Sequence, residues 1–163
     1  MKKLVRELID NSKESSVKAQ NNLVTLGLLI EKHTIEEPND NDYKVLMAQC
    51  YYDLKLSEIE IKEILENLIL LIKEGVPYAD SAVWALGKSC QEDYIKKVFR
   101  IILEKKDIVF NGKLIRQTLY VLDGMSRKLI KEFETELREL QNNLEDDELK
   151  TVINNMLNKS FLK

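Results

Sequence analysis

The sequence predicts an all-α protein of about eight to nine helices, stacked as antiparallel helical hairpins in a compact bundle or α-solenoid. Glycine and proline number only 5 and 2 in 163 residues, whereas a β-rich chain needs many turn residues. Apolar residues recur at steps of three and four along most of the chain, which is the spacing of an amphipathic helix. A composition of 44% hydrophobic and 33% charged residues is typical of a globular protein. The length favours one domain over residues 1–163.

The first third of the chain contains two apolar stripes, a polar loop and a third stripe. The first two stripes predict a short helix around residues 4–9 and a longer one that ends near Lys32. The loop over residues 33–42 contains Pro38 and several Asn and Asp residues, which stop one helix and offer caps for the next. A third helix is predicted over residues 43–54, with an apolar side formed by Tyr43, Leu46, Met47, Cys50 and Leu54.

The helix between residues 57 and 75 has the best-defined boundaries. Ser57 and Glu60 have the spacing of a capping box at its start. Gly75 suits a C-terminal cap, and Pro77 prevents the helix from continuing. This is the most hydrophobic helix of the chain, and its second half is apolar on most sides. We therefore expect it to be central and covered by several neighbours.

Five further helices are predicted, with apolar positions within residues 79–90, 95–102, 115–122, 130–144 and 149–157. The stripe at 130–144 alternates steps of three and four and predicts one continuous helix, with a seam formed by Ile130, Phe133, Leu137, Leu140 and Leu144. Trp84 and Phe99 lie on or beside such stripes and are expected in the core. Cys50 and Cys90 also fall inside them, which predicts buried free thiols in a reducing cytoplasm.

A degenerate internal repeat accompanies these helices. Ala48, Ala85 and Leu122 are spaced by 37 residues, and two-helix units with periods of ~30–50 residues are typical of α-solenoids. The segment Ala82-Val83-Trp84-Ala85-Leu86-Gly87-Lys88-Ser89, with its small residues and Leu-Gly pair, resembles the first helix of a HEAT-like repeat. The resemblance covers residues 43–143 and is best in the central unit. It implies stacked hairpins that present an extended binding surface.

Residue types that carry catalysis or bind metals are sparse, so the sequence predicts no enzyme, no metal and no cofactor. The single histidine, His33, lies at a predicted helix C-terminus, where a cationic residue is ordinary. One histidine and two cysteines 40 residues apart do not supply a zinc site. Asp40-Asn41-Asp42 lacks the glycine and closing glutamate of a calcium loop. The five glycines form no phosphate-binding loop.

Acidic residues concentrate between Glu31 and Glu66, a segment that we call the acidic edge. It carries ten acids against four lysines, a net charge of −6 in a chain whose net charge is −3. Tyrosines lie among these acids, and such a surface suits a basic partner. The predicted partner-binding residues are Glu36, Glu37, Asp40, Asp42, Tyr43, Tyr51, Tyr52, Asp53 and Glu58. A solvated face without a partner is the alternative interpretation.

A second candidate surface is a basic stripe formed by Lys96, Lys97, Arg100, Lys105 and Lys106. Within this run only Glu104 opposes the stripe, so it could meet phosphate. The isoelectric point of about 5.4 is nevertheless unlike that of most duplex-binding domains. A solubilising face is therefore the favoured interpretation, and nucleic acid is not expected as a partner.

Together these features predict a non-catalytic protein-binding module. A small, acidic, all-helical chain without a catalytic set resembles, by type, the bacterial immunity proteins that bind and neutralise a basic, nuclease-type toxin. That resemblance rests on no motif, and it implies a cytoplasmic protein whose acidic edge covers a positive cleft of the toxin. A HEAT-like scaffold or adaptor is the alternative, a nucleic-acid-binding repeat protein ranks third, and a homodimer stays open. The longest apolar run, Leu68 to Ile72, is too short to cross a membrane.

Overall fold

A computed structural model describes residues 2–34, 51, 54–104 and 112–161, with the side chain of Phe161 excepted. Regular secondary structure in these ranges is entirely helical, which confirms the predicted all-α class. The nine α-helices of these ranges are α1 (Lys3–Asp10), α2 (Val17–Thr34), α3 (Glu58–Glu74), α4 (Ala79–Gly87), α5 (Glu92–Glu104), α6 (Gly112–Asp123), α7 (Arg127–Glu132), α8 (Glu134–Asn143) and α9 (Asp147–Phe161). A 3-10 turn, Asn11–Lys13, follows α1. Most of the helix predicted over residues 43–54 lies outside the described residues.

Helix α3 begins and ends as its sequence predicts. The Ser57 hydroxyl accepts the Glu60 amide at 3.3 Å, and the Glu60 carboxylate accepts the Ser57 amide at 3.0 Å, so both bonds of the capping box are present. Gly75 has a φ of 70° and a ψ of 41°, in the left-handed region where a side chain is strained. Its amide donates to the carbonyl of Ile72, and the next amide donates to Leu71, which closes the helix.

Helix α4 is the hub of the described helices, because it packs against α2, α3, α5 and α6. Its short side chains Ala79, Ala82 and Ala85 are buried and let these neighbours approach closely. Helix α3, which the sequence predicts as central, instead packs against α1, α4 and α5, and its Leu70 is 51% exposed. A helix of small residues occupies the centre because it can accept close neighbours on every side.

Two glycines set the spacing around α4. An ideal Cβ placed on Gly27 of α2 would lie 2.6 Å from Cζ3 of Trp84 and 2.9 Å from Cα of Ala85. A Cβ on Gly87 would lie 2.8 Å from Cγ2 of Val121 on α6. Helices α2 and α6 therefore both approach the C-terminal half of α4 more closely than alanine would permit, and α2, α4 and α6 form one row of alternate helices.

The predicted continuous helix over 130–144 is wrong, because α7 and α8 are separate helices that meet at Phe133. Phe133 leaves the helical conformation, with φ −106° and ψ 18°. Its ring is buried and packs edge-on against Phe99, with ring centroids 4.9 Å apart. The break keeps Ile130, Phe133 and Leu137 buried, so the apolar stripe is real although the helix axis is interrupted.

The prediction that Cys90 is a buried helical thiol is also wrong. Helix α4 ends at Gly87, and Cys90 lies in the turn before α5, exposed and with a φ of 53°. The Cys90 amide donates to the carbonyl of Gly87, and the hydroxyl of buried Ser89 donates to the carbonyl of Leu86, so the turn is fixed by hydrogen bonds to the last carbonyls of α4. Cys50 lies outside the described residues. Phe99 is buried as predicted, whereas Trp84 is only partly buried at the margin of the core.

Candidate functional site

Two of the nine predicted partner-binding residues, Tyr51 and Glu58, belong to the described part of the chain. Tyr51 is partly buried and packs against the core, so its side chain contributes to the fold and only part of it is open to a partner. Glu58 is exposed in the first turn of α3. The other seven lie outside the described residues, and they are Glu36, Glu37, Asp40, Asp42, Tyr43, Tyr52 and Asp53.

Two described parts of the acidic edge, residues 31–34 and the residues from Leu54 onward, line a common cleft. This cleft has a volume of about 260 Å³ and lies between the last turn of α2 and the connection that leads into α3. Its walls include His33, at the start of the predicted loop, and Leu54, at the end of the predicted third helix. The full lining is Leu29, Lys32, His33, Leu54, Lys55 and Leu56. These two described parts of the acidic edge therefore lie at one place in the fold.

A second cleft, of about 430 Å³, shares His33 with the first and contains Glu58. It lies where the end of α2 meets the beginnings of α3 and α5. Its full lining is His33, Glu58, Ile61, Lys62, Gln91 and Tyr94. Ile61 and Tyr94 are buried and form apolar walls, whereas Glu58, Lys62 and Gln91 are exposed. The arrangement offers a concave surface with both apolar and charged contacts.

Ile59 is a surface feature that sequence reasoning missed. Its side chain is 73% exposed, although it lies between Glu58 and Glu60 in the first turn of α3. The helical stripe of α3 contains Ile61, Ile64 and Leu65, and Ile59 falls outside that periodicity. Because Ile59 is out of phase with the buried stripe, its position in the sequence could have predicted that it is exposed.

Several acids of the acidic edge are paired with lysines from other helices. Glu31 receives the ammonium of Lys88 at 2.7 Å, and Glu66 receives that of Lys97 at 3.2 Å. Lys88 also lies 4.8 Å from the centroid of the Trp84 ring. These lysines are distant in sequence, so a charge count along the segment does not include them. The net charge of −6 therefore overstates the field of this surface.

Glu60 is occupied by bonds within the fold. Hydrogen bonds from Ser57 and the nearby charge and amide of Lys2 hold the pKa of its carboxyl below its usual range, against the opposing effect of burial. Tyr94 shows the reverse case, since burial and the Glu66 carboxylate raise the pKa of its phenol. The ammonium of Lys97 lies 4.7 Å from the centroid of the Tyr94 ring. Glu66, Tyr94 and Lys97 thus form one cluster between α3 and α5.

The described part of the basic stripe is also paired. Lys96 lies 2.6 Å and Arg100 3.8 Å from carboxylate oxygens of Glu132 on α7, and Lys97 is bound to Glu66. The hydrogen bond that Lys96 donates to the Glu132 carboxylate raises the pKa of the Lys96 ammonium. These contacts join α5 to α3 and α7 and leave less positive charge for phosphate. Lys105 and Lys106 lie outside the described residues.

His33, which any triad would need, is exposed in the last turn of α2. Over residues 2–34, 51, 54–104 and 112–161, acids, cysteines and the histidine form no group of three that could hold a metal ion. None of the described helices combines the length and apolar character required to cross a bilayer. Comparison with protein families, curated proteins and solved structures found no match to this chain.

Proposed function

We propose that this chain is a non-catalytic protein-binding module that binds and neutralises a basic protein through the acidic edge, as an immunity protein does with a toxin. The observation that carries the proposal is the convergence of the described parts of that edge. His33 and Leu54, both within the acidic edge, line one cleft, and His33 and Glu58 line the next. The described residues of the acidic edge thus contribute to a concave surface that carries the exposed carboxylate of Glu58.

Charge supports the choice of a basic partner. Glu58 is exposed in the first turn of α3, where the surface is open to an incoming cation. The acids of residues 36–53 add further negative charge to the acidic edge of the sequence. Complementary fields of this kind raise association rates about 10–1,000-fold and weaken with salt. The partner is accordingly a protein whose own functional surface is positive, such as a nuclease domain.

A scaffold or adaptor is the second candidate, and the apolar character of the clefts favours it. Leu29, Leu54 and Leu56 line the smaller cleft, and Ile59 is exposed beside the larger one. Contacts of this kind would anchor a partner with little dependence on salt. Nucleic-acid binding ranks below both, because Lys96, Lys97 and Arg100 are engaged with Glu66 and Glu132.

Capture of partners at two ionic strengths tests the proposal. The immobilised chain would be exposed to lysate of the encoding organism at about 50 mM and about 500 mM salt, which differ roughly threefold in screening length. We expect one basic protein to be retained, less strongly at high salt. Its nuclease activity or toxicity should then be silenced by an equimolar amount of the chain.

Three other outcomes would contradict the proposal. Retention of one partner with no dependence on salt would favour the scaffold. Recovery of nucleic acid with a steep salt dependence would favour the basic stripe. A basic partner whose activity is unchanged by the chain would show binding without neutralisation.

A further inference from the structure

The beginnings of α1 and α3 are joined by the carboxylate of Glu60. Its Oε1 accepts the backbone amide of Lys2 at 3.1 Å, and its Oε2 accepts both the amide and the hydroxyl of Ser57 at 3.0 Å. Lys2 directly precedes α1, and Ser57 is the N-cap of α3. One side chain therefore closes the capping box and also binds a residue 58 positions away. We call these bonds the Lys2–Glu60 clasp.

The clasp holds the connection Leu54–Ser57 from two points. At one point Glu60 binds Ser57, and at the other the ammonium of Lys2 donates to the carbonyl of Lys55. The Leu54 amide additionally donates to the carbonyl of Tyr51 at 3.1 Å. Leu54, Lys55 and Leu56 line the smaller cleft, and Glu58 follows in the larger one. The clasp thus fixes a wall of the surface assigned above to the partner.

Packing anchors the other side of the clasp. Helix α1 buries Val5, Leu8 and Ile9 and packs against α2 and α3, so Lys2 extends from an element that is itself fixed. Both oxygens of Glu60 are engaged within the chain, which separates it from exposed Glu58 as a possible partner contact. The two acids are two positions apart, yet they have different surroundings and different roles.

We propose that Glu60 is a positioning residue for the partner-binding surface, holding the Leu54–Ser57 wall in its receptive shape through Ser57 and Lys2. This inference rests on the proposed function, because the wall matters only if a partner binds there. Its physical basis is preorganisation, since a wall that is already ordered need not lose conformational freedom on binding. Lys2 belongs to the same device, although it lies outside the acidic edge.

A pH titration followed by NMR tests the clasp without any partner. The amide resonances of Lys2 and Ser57 should shift with one common midpoint, because the same carboxylate accepts both bonds. In the Glu60→Gln variant both titrations should disappear. Exchange of the amides of Leu54–Ser57 should become about fivefold faster, the factor that corresponds to loss of a typical helix cap. A Lys2 resonance that does not titrate with Ser57 would overturn the clasp.

The positioning role is tested with the basic protein that the wild-type chain captures. Ser126→Ala is the matched control, because Ser126 caps α7 and its hydroxyl accepts the Leu129 amide at 3.3 Å, outside both clefts. Glu60→Gln should weaken partner binding by about fivefold, whereas the control should lose stability only. Equal affinities for the two variants would overturn the positioning role. Failure to capture any basic protein would instead contradict the proposed function, and the NMR titration would still decide the clasp.

Discussion

At the scale of single residues, Asn22 is the clearest unsatisfied group in the described structure. It lies in α2 with only 8% of its surface exposed, and its Nδ2 finds no hydrogen-bond partner among the described residues. A buried donor without an acceptor costs about 1–3 kcal/mol relative to one that is paired. Nothing in the local sequence distinguishes Asn22 from its exposed neighbour Asn21, so only the packing of α2 identifies it.

Replacement of Asn22 by leucine should therefore stabilise the protein. We expect Asn22→Leu to raise the free energy of unfolding by about 1 kcal/mol or more, since it replaces the unpaired amide with an apolar side chain of the same branching. Asn21→Leu is the matched control, because it makes the same change at an exposed position of the same helix. Urea denaturation would measure both variants. Equal stabilities for the two would show that the Asn22 amide carries no penalty.

Exposure of Cys90 gives a second prediction at this scale. Because Cys90 lies exposed in the turn between α4 and α5, we expect it to react with a thiol reagent in the native protein. Cys90→Ser should abolish one equivalent of rapid labelling. Persistence of that equivalent in the variant would place the accessible thiol elsewhere in the chain.

Two carboxylates near helix starts, Glu92 and Glu148, affect how the free energy of unfolding depends on pH in the acidic range. Hydrogen bonds from Ser126 hold the pKa of Glu92 below its usual range, and those from Arg116 and Tyr120 do the same for Glu148. A pKa that is lower in the folded chain stabilises the fold above the unfolded value of about 4.3, and the contribution is lost as pH falls through the folded value. The contribution of these two carboxylates should thus decline below about pH 4.3 and change little above it.

The contribution of these two groups is measured by urea midpoints between pH 7 and pH 3. Glu92→Gln and Glu148→Gln should each flatten the decline at low pH, because the substituted group no longer titrates. Glu139→Gln is a matched control on an exposed part of α8. A decline of unchanged steepness in the two test variants would contradict the assignment.

At the scale of helices, local signals predicted ends better than interruptions or neighbours. Ser57, Glu60 and Gly75 are read directly from sequence because a cap is made by residues only a few positions apart. The break at Phe133 was missed because the apolar steps of three and four continue through it. What interrupts α7 is the contact with Phe99, which lies on another helix. Contacts between helices also decide that α4, and not α3, is the hub, and a local pattern does not show them.

Glycine substitutions test the close packing of α4 against its row. Gly27→Ala and Gly87→Ala should each destabilise the protein by about 1–3 kcal/mol, because the new Cβ meets Trp84 and Ala85 in one case and Val121 in the other. Gly112→Ala is the control, since an added Cβ there has no neighbour within 4 Å. We expect its stability to be unchanged or slightly higher, as alanine favours helix. Thermal denaturation would measure the stability of the three variants. A Gly27→Ala variant that is more stable than the wild type would contradict the close packing of α2 on α4.

At the scale of the whole molecule, ion pairs between helices redistribute the charge that the sequence suggests. Lys88, directly after α4, and Lys97 of α5 neutralise Glu31 and Glu66, and Glu132 of α7 neutralises Lys96. Each exposed pair contributes little to stability, about 0–1 kcal/mol. Their larger effect is to reduce the negative charge of the acidic edge and the positive charge of the basic stripe. Sequence alone predicted where charges lie along the chain, but not which helices would face each other.

The candidate surface was predicted in part. The acidic edge was identified from composition, and Glu58 is exposed as that prediction requires. The clefts and the contributions of Gln91 and Tyr94 could not be predicted, because they depend on how the end of α2 meets the beginnings of α3 and α5. The role of Lys2 was equally hidden, since its partner Glu60 is 58 residues away.

The most direct test of the account is the association rate between the captured basic partner and a chain with Glu36, Glu37, Asp40 and Asp42 replaced by lysine. The control reverses four exposed acids outside the acidic edge, Asp10, Glu14, Glu139 and Glu145, so that the net charge is the same. We expect the first variant to associate at least about tenfold more slowly than the control at low salt, with the difference shrinking as salt rises. Equal rates for the two variants would show that the acidic edge is not the binding surface.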